Sequence, residues 1–185
     1  MKLSFKFFQF LFLFIVPYHL SLAANIHDSA ALIQDSKVFS ETMGVSFTLE
    51  HKELDIFIDQ KKSNDYFIPR IEALGIWPGV NHESLKRSPI IITSLICIYT
   101  NAMILNYVYK QTDADDINIH SYLITPDAPT TKHLIFSYKF TRNIYNNMDV
   151  NKTNAMNFSN VAQDFQYSDW YNENSARETK SIYQD

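Results

Sequence analysis

The residues best suited to catalysis or binding lie in two nearby segments of the sequence, in each of which apolar and polar side chains alternate. Asn118, His120 and Tyr122 are two positions apart, so in a β-strand they would project from one face at intervals of about 6.7 Å. Ser137 and Lys139 have the same spacing in the next alternating segment. A histidine close to hydroxyl and lysine groups can act as a general base near neutral pH. The solvated face of an ordinary half-buried sheet shows the same pattern.

These five residues are therefore either candidates for a functional site or the solvated face of an ordinary sheet. We take His120, Ser137 and Lys139 as the catalytic candidates, and Asn118 and Tyr122 as binding candidates. No G-x-S-x-G motif accompanies them, so the sequence offers no nucleophile elbow.

A β-hairpin would bring the two segments together. Residues 116–125 and 133–141 both alternate between apolar and polar side chains, which is typical of strands with one buried face. The loop between them carries two prolines, Pro126 and Pro129. We predict an antiparallel hairpin here, with its apolar face packed under helices.

Two further groups of residues are candidates for binding. Tyr167, Trp170 and Tyr171 form an aromatic cluster that could stack on sugar rings, anchor a protein partner, or dock the end of the chain on the core. Carboxylates that suit a hard cation are present at three positions: Asp113, Asp115 and Asp116. The EF-hand motif fails, because it requires glycine and glutamate where this chain has Asn118 and Ile124. A weak surface metal site and a simple acidic turn remain the two interpretations.

Composition excludes several classes of function. The chain of 185 residues has three glycines, too few and too far apart for a phosphate-binding loop. The net charge of −4 and the pI near 5.8 argue against binding to a nucleic acid backbone. The single cysteine, Cys97, has aliphatic neighbours and rules out an intramolecular disulfide. We predict no cofactor and no nucleic acid partner.

The first residues have the pattern of a secretory signal peptide. Lys2 and Lys6 precede an apolar run over 7–16, and small residues at Ser21 and Ala23 suit cleavage after Ala23, with cleavage after Ala24 as the alternative. The alternative is an uncleaved N-terminal anchor. We predict that residues 1–23 are removed and that the protein is exported to the periplasm or outside the cell.

The mature part has the length of a single domain, and we predict that it spans 24–171. The sequence predicts a helix over 28–43 that ends at Gly44, and a helix over 50–62. A turn at 63–65 and a short helix over 69–74 follow. Another short helix is predicted near 158–165, and a polar tail that frays from Asn172.

The segment 89–109 contains no charged residue, which raises three interpretations. A membrane span is disfavoured by its polar side chains and by basic residues on the side that an exported chain leaves outside. A buried core helix starting at Pro89 is favoured, and two central strands remain the alternative.

These elements predict an α+β fold. In it, N-terminal helices and one long apolar helix, or a strand pair, pack on a small antiparallel sheet that contains the hairpin. For function we expect an exported domain that binds a protein or glycan partner without catalysis, with no membrane span after signal cleavage. The alternative is a small secreted hydrolase that uses His120 with Ser137 or Lys139.

Overall fold

Five β-strands form one mixed sheet in the computed structural model, which describes residues 37, 39–75, 77, 79–147 and 160–182. In spatial order the strands are β1 (Val45–Glu50), β2 (Glu53–Asp59), β3 (Asp116–Ile124), β4 (His133–Thr141) and β5 (Gln163–Tyr167). β2 and β3 run parallel, and the other neighbouring pairs run antiparallel. The predicted hairpin is confirmed as β3 and β4.

Five labelled helices accompany the sheet: α1 (Gln60–Leu74), α2 (His82–Arg87), α3 (Pro89–Gln111), α4 (Arg142–Asn147) and α5 (Asp169–Ile182). The first three join the parallel strands β2 and β3, because a parallel pair needs a long crossover connection. The other four labelled helices all contact α3. The α+β fold class is therefore confirmed, with one parallel pair in a sheet that we predicted to be antiparallel.

One face of the sheet is packed against α3, and we call it the covered face. Its side chains alternate along each strand with those of the opposite face. The buried side chains of the covered face are Val45, Phe47, Leu54, Ile56, Ile58, Ile117, Ile119, Leu123, Phe136, Tyr138 and Phe140. Each fully buried side chain of this size stabilises the fold by about 1.5–3 kcal/mol.

Polar contacts fix how α3 sits on the covered face. The Asn101 side-chain amide donates to Ser121 Oγ at 2.6 Å and to the Tyr138 hydroxyl at 3.2 Å. Near the end of the helix, the Tyr109 hydroxyl donates to the backbone carbonyl of Phe140 at 2.8 Å. Because buried donors are costly without an acceptor, these bonds favour one position of the helix over others.

Both ends of α3 are capped by side chains from later elements. The Glu178 carboxylate of α5 accepts hydrogen bonds from the backbone amides of Ile90 and Ile91, at 2.8 and 3.0 Å. At the other end, the Arg142 guanidinium donates to three backbone carbonyls, including those of Tyr109 and Thr112. The first amides and last carbonyls of a helix have no partner within it, so these contacts satisfy them.

The segment that was open to three interpretations is helical, and the strand-pair alternative is wrong. By length and composition α3 is the one helix of the described ranges that could cross a membrane, and 56% of its most apolar window is buried within the protein. Cys97 lies in this helix and is fully buried, and burial raises the pKa of its thiol.

Several local predictions are wrong, for identifiable reasons. Residues predicted as a helix over 50–62 include strand β2, and the expected turn at 63–65 lies inside α1. The short helix over 69–74 is the end of α1, with Pro69 inside it. Near the C-terminus, the described part of the predicted helix near 158–165 is a turn over 160–162 followed by the start of strand β5, and the expected frayed tail continues α5 to Ile182.

The predicted first helix is described only at its end. Residues 39–43 are helical and stop at Gly44, which has φ 67°. A Cβ atom there would lie 2.6 Å from Lys62 Cβ and 2.8 Å from Ser63 N, so only glycine fits. The predicted signal peptide, residues 1–23, lies outside the described residues.

Candidate functional site

The opposite side of the sheet is the open face. On β1 to β4 its side chains include Ser46, Thr48, Glu50, Glu53, Asp55, Phe57, Asp116, Asn118, His120, Tyr122, Ser137 and Lys139. The described helices belong to the other side, because α3 packs on the covered face and the other labelled helices contact α3. None of the open-face side chains is fully buried.

Strand pairing arranges the open face in rows that cross the sheet. Asp55 of β2 pairs with His120 of β3, which pairs with Ser137 of β4. The parallel pairing of β2 with β3 makes this row possible, since these strands are distant in the sequence. Side chains in directly paired positions have Cβ atoms about 4.5–5.5 Å apart and can interact.

His120 faces two carboxylates of β2. Its Nδ1 atom lies 3.3 Å from Asp55 Oδ1 and 3.6 Å from Glu53 Oε2. The Asn118 side-chain amide donates to the other Glu53 oxygen at 2.8 Å. Asp116 has a different partner, because Lys139 Nζ lies 2.8 Å from its carboxylate. The carboxylates of β2 thus have an imidazole and an amide as neighbours where Asp116 has an ammonium group.

An aromatic pair lies beside this polar cluster. The rings of Phe57 and Tyr122 are stacked with centroids 5.3 Å apart. Lys132 Nζ sits 4.0 Å from the centroid of the Phe57 ring, within the range of a cation–π contact. Burial raises the pKa of Tyr122, and the negative charges of Asp55 and Glu53 raise it further. The aromatic pair therefore lies in the electrostatic field of the β2 carboxylates.

The predicted cluster around His120 forms in part. The hairpin pairs His120 with Ser137 and Asn118 with Lys139, which confirms that they are neighbours on one face. Sequence reasoning missed Glu53 and Asp55. The alternation of Leu54, Ile56 and Ile58 was the signal that could have found them, because it places both acidic residues on the other side of a strand.

The aromatic cluster near the C-terminus lies apart from this site. The Tyr171 hydroxyl is 3.0 Å from Ser94 Oγ of α3, and Trp170 stacks on His133 with ring centroids 4.2 Å apart. Tyr167 stacks on Tyr171 and remains 41% exposed. The first two contacts dock α5 on the core, so the structure does not bring these three binding candidates together with Asn118 and Tyr122.

The acidic turn before β3 does not assemble a metal site in the described residues. No group of three or more His, Cys, Asp or Glu side chains is arranged there to hold a metal ion, and this includes Asp113 and Asp115. Asp116, the third candidate, is paired with Lys139 as described above.

The open face can support two kinds of chemistry. A carboxylate at Nδ1 of an imidazole leaves Nε2 available to accept a proton, which is the arrangement of a general base. However, the His120 side chain is 33% exposed and those of Asp55 and Glu53 are 37% and 48% exposed, so water reaches the cluster. Exposed charged and aromatic side chains on a broad face suit recognition of another molecule.

Comparisons with known proteins give no relative for this chain. No protein-family model matches it, and no match was found among curated proteins or among solved structures.

Proposed function

We propose that the protein is an exported domain that binds a protein or glycan partner on its open face. One observation carries this proposal. The helices and the apolar core occupy the covered face, while the other side of the same sheet presents charged and aromatic side chains to solvent. The fold does not need these side chains for its core, so they are available for contacts with another molecule.

Site-specific photo-crosslinking tests this proposal in producing cells. We would place a crosslinking side chain at Thr48, which is exposed on β1 and pairs with Asp55, and a control at Glu173, which is exposed on α5. The Thr48 position should give one defined adduct that is lost in a Tyr122→Ala background. Equal adducts from both positions, or none from Thr48, would contradict binding on this face.

Export is tested separately. The mature protein recovered from the periplasm or medium should begin at residue 24, as expected from the small residues before the cleavage site. Intact residues 1–23 on protein that stays in the cytosol would contradict this part of the proposal.

A small secreted hydrolase is the second candidate, and a specific observation favours it. Asp55, His120 and Ser137 occupy one row in the order that a carboxylate, base and nucleophile require. Acyl transfer also needs hydrogen-bond donors for the developing oxyanion and a site that excludes water. Because His120 and Asp55 are partly exposed to water, binding is the better-supported function.

A fluorophosphonate probe distinguishes the hydrolase from the binding domain. An activated Ser137 would be labelled, and labelling would fall by at least tenfold in His120→Ala and disappear in Ser137→Ala. Absence of labelling in the purified wild-type protein, with intact folding by circular dichroism, would rule out this second candidate.

A further inference from the structure

We propose that the partner of the open face is a protein segment that carries lysine or arginine side chains. This inference rests on the proposed binding function and names the chemistry of the partner. The observation behind it is the charge distribution across the sheet, together with the two places where the chain's own lysines already contact this face.

The open face has an excess of negative charge. The carboxylates of Glu50, Glu53, Asp55 and Asp116 lie on its strands, whereas the lysines at this face are Lys139 on β4 and Lys132, which reaches over the Phe57 ring from the β3–β4 loop. Lys139 is paired with Asp116 at 2.8 Å. The other three carboxylates lie on β1 and β2, at the side of the sheet away from Lys139. A partner with the opposite charge is favoured there, because complementary potentials speed association and select the correct partner.

The chain itself shows that ammonium groups bind on this face. Lys139 forms an ion pair with the carboxylate of Asp116, and Lys132 Nζ lies 4.0 Å from the Phe57 ring centroid. One intramolecular cation therefore contacts a carboxylate, and the other contacts an aromatic ring. Glu53 and Asp55 offer the same type of carboxylate to a cation from outside, with the Asn118 amide donating to Glu53 and the His120 imidazole 3.3 Å from Asp55.

The aromatic pair is less suited to a neutral glycan. Stacking on a sugar requires an uncovered ring face, and the Phe57 ring is already in contact with Tyr122 and with Lys132. An acidic glycan would in addition be repelled by the carboxylates of β1 and β2. Of the two partner classes, a basic protein segment fits better.

Amide chemical-shift titration with an N-acetylated, C-amidated hexalysine peptide tests the inference. Addition of the peptide to the mature protein should shift amides of β2 and β3. The double variant Glu53→Gln/Asp55→Asn should raise the Kd by about tenfold, since each exposed charge pair contributes modestly. Both substitutions preserve side-chain shape, so circular dichroism should remain unchanged.

A matched double variant controls for net charge. Glu41→Gln/Glu173→Gln removes two exposed carboxylates outside the sheet and should change the Kd by less than twofold. Equal losses in the two double variants would show that only overall charge matters, and they would overturn the inference.

A neutral probe separates the inference from the proposed function. If cellohexaose shifts the open-face amides and hexalysine does not, the basic-partner inference is wrong, whereas binding on this face stands. If neither probe shifts them and the Thr48 crosslinker gives no adduct, both are wrong.

Discussion

The two faces of β3 differ most clearly at a pair of adjacent residues. Ile119 is fully buried on the covered face, whereas the next residue, His120, is partly exposed and faces carboxylates of β2. The covered face is stabilised by apolar burial and by buried hydrogen bonds such as those of Asn101. The open face is held by exposed lateral pairs, which contribute about 0–1 kcal/mol each. The side chains that stabilise the core and those proposed to bind a partner thus lie on opposite sides of one strand.

The largest expected effect comes from substituting Ile119 and His120 separately and comparing the losses of stability. Ile119→Ala should lower the free energy of unfolding by about 2–5 kcal/mol, because it leaves a cavity in the core. His120→Ala should lower it by about 1 kcal/mol or less, because it removes only a partly exposed pair. Urea denaturation measures both. Similar losses in the two variants would show that the open face is part of the stabilising core.

A second substitution tests whether the polar contacts of the covered face contribute. Asn101→Ala should cost about 1–2 kcal/mol, because Ser121 Oγ and the Tyr138 hydroxyl lose a buried donor. The same substitution also removes Asn101 Oδ1, which is buried and finds no hydrogen-bond partner among the described residues. Removing this unsatisfied atom offsets part of the cost. Chemical denaturation of the variant gives the value. A variant as stable as the wild type would assign the helix position to apolar packing alone.

A substitution in the β1–β2 turn, at one end of the sheet, is expected to stabilise the protein. His51 and Lys52 both have positive φ, 48° and 77°, which costs roughly 1–2 kcal/mol per residue for side chains of this kind. Replacement by Asn-Gly, the preferred sequence for such a turn, should raise the free energy of unfolding by about 1–2 kcal/mol. Hexalysine affinity serves as a check. If affinity falls severalfold, these two residues belong to the binding surface.

The smallest effect concerns the contact between α5 and the start of α3. Burial raises the pKa of Glu178 above its ordinary value of 4.5, despite the hydrogen bonds from Ile90 and Ile91. The folded protein then binds this proton more tightly than the unfolded chain, so stability falls as the pH rises above 4.5 through the folded pKa. Glu178→Gln should flatten that decline and cost about 1 kcal/mol through one lost hydrogen bond. Unfolding curves from pH 4 to 7 measure it. An unchanged pH dependence would assign the decline to other groups.

The parts of the fold that the sequence predicts correctly are those set by local patterns. The β3–β4 hairpin follows from strict alternation on both strands, and the pairing of His120 with Ser137 follows from the hairpin. α3 is recognised from its long uncharged segment and from Pro89 at its first turn.

The errors arise where distant contacts decide the structure. β2 satisfies two periodicities, since Leu54 and Ile58 suit a helix and Leu54, Ile56 and Ile58 suit a strand. The polar residue Asn64 signals a turn, but its amide donates to Thr93 of α3 at 3.0 Å inside the helix pair. With β2 predicted as a helix, no local pattern could place Glu53 and Asp55 beside His120, so both acidic neighbours of the imidazole were missed.

The parallel pairing of β2 with β3 has a consequence for the order of folding. The β3–β4 hairpin closes a short loop and can form early, whereas we expect β2 to pair with β3 later, because three helices lie between them in the sequence. The imidazole of His120 therefore acquires its carboxylate neighbours late. A partner that recognises those carboxylates together with Asn118 and His120 would discriminate finished molecules from partly folded ones, since these side chains lie beside each other only once β2 has paired with β3.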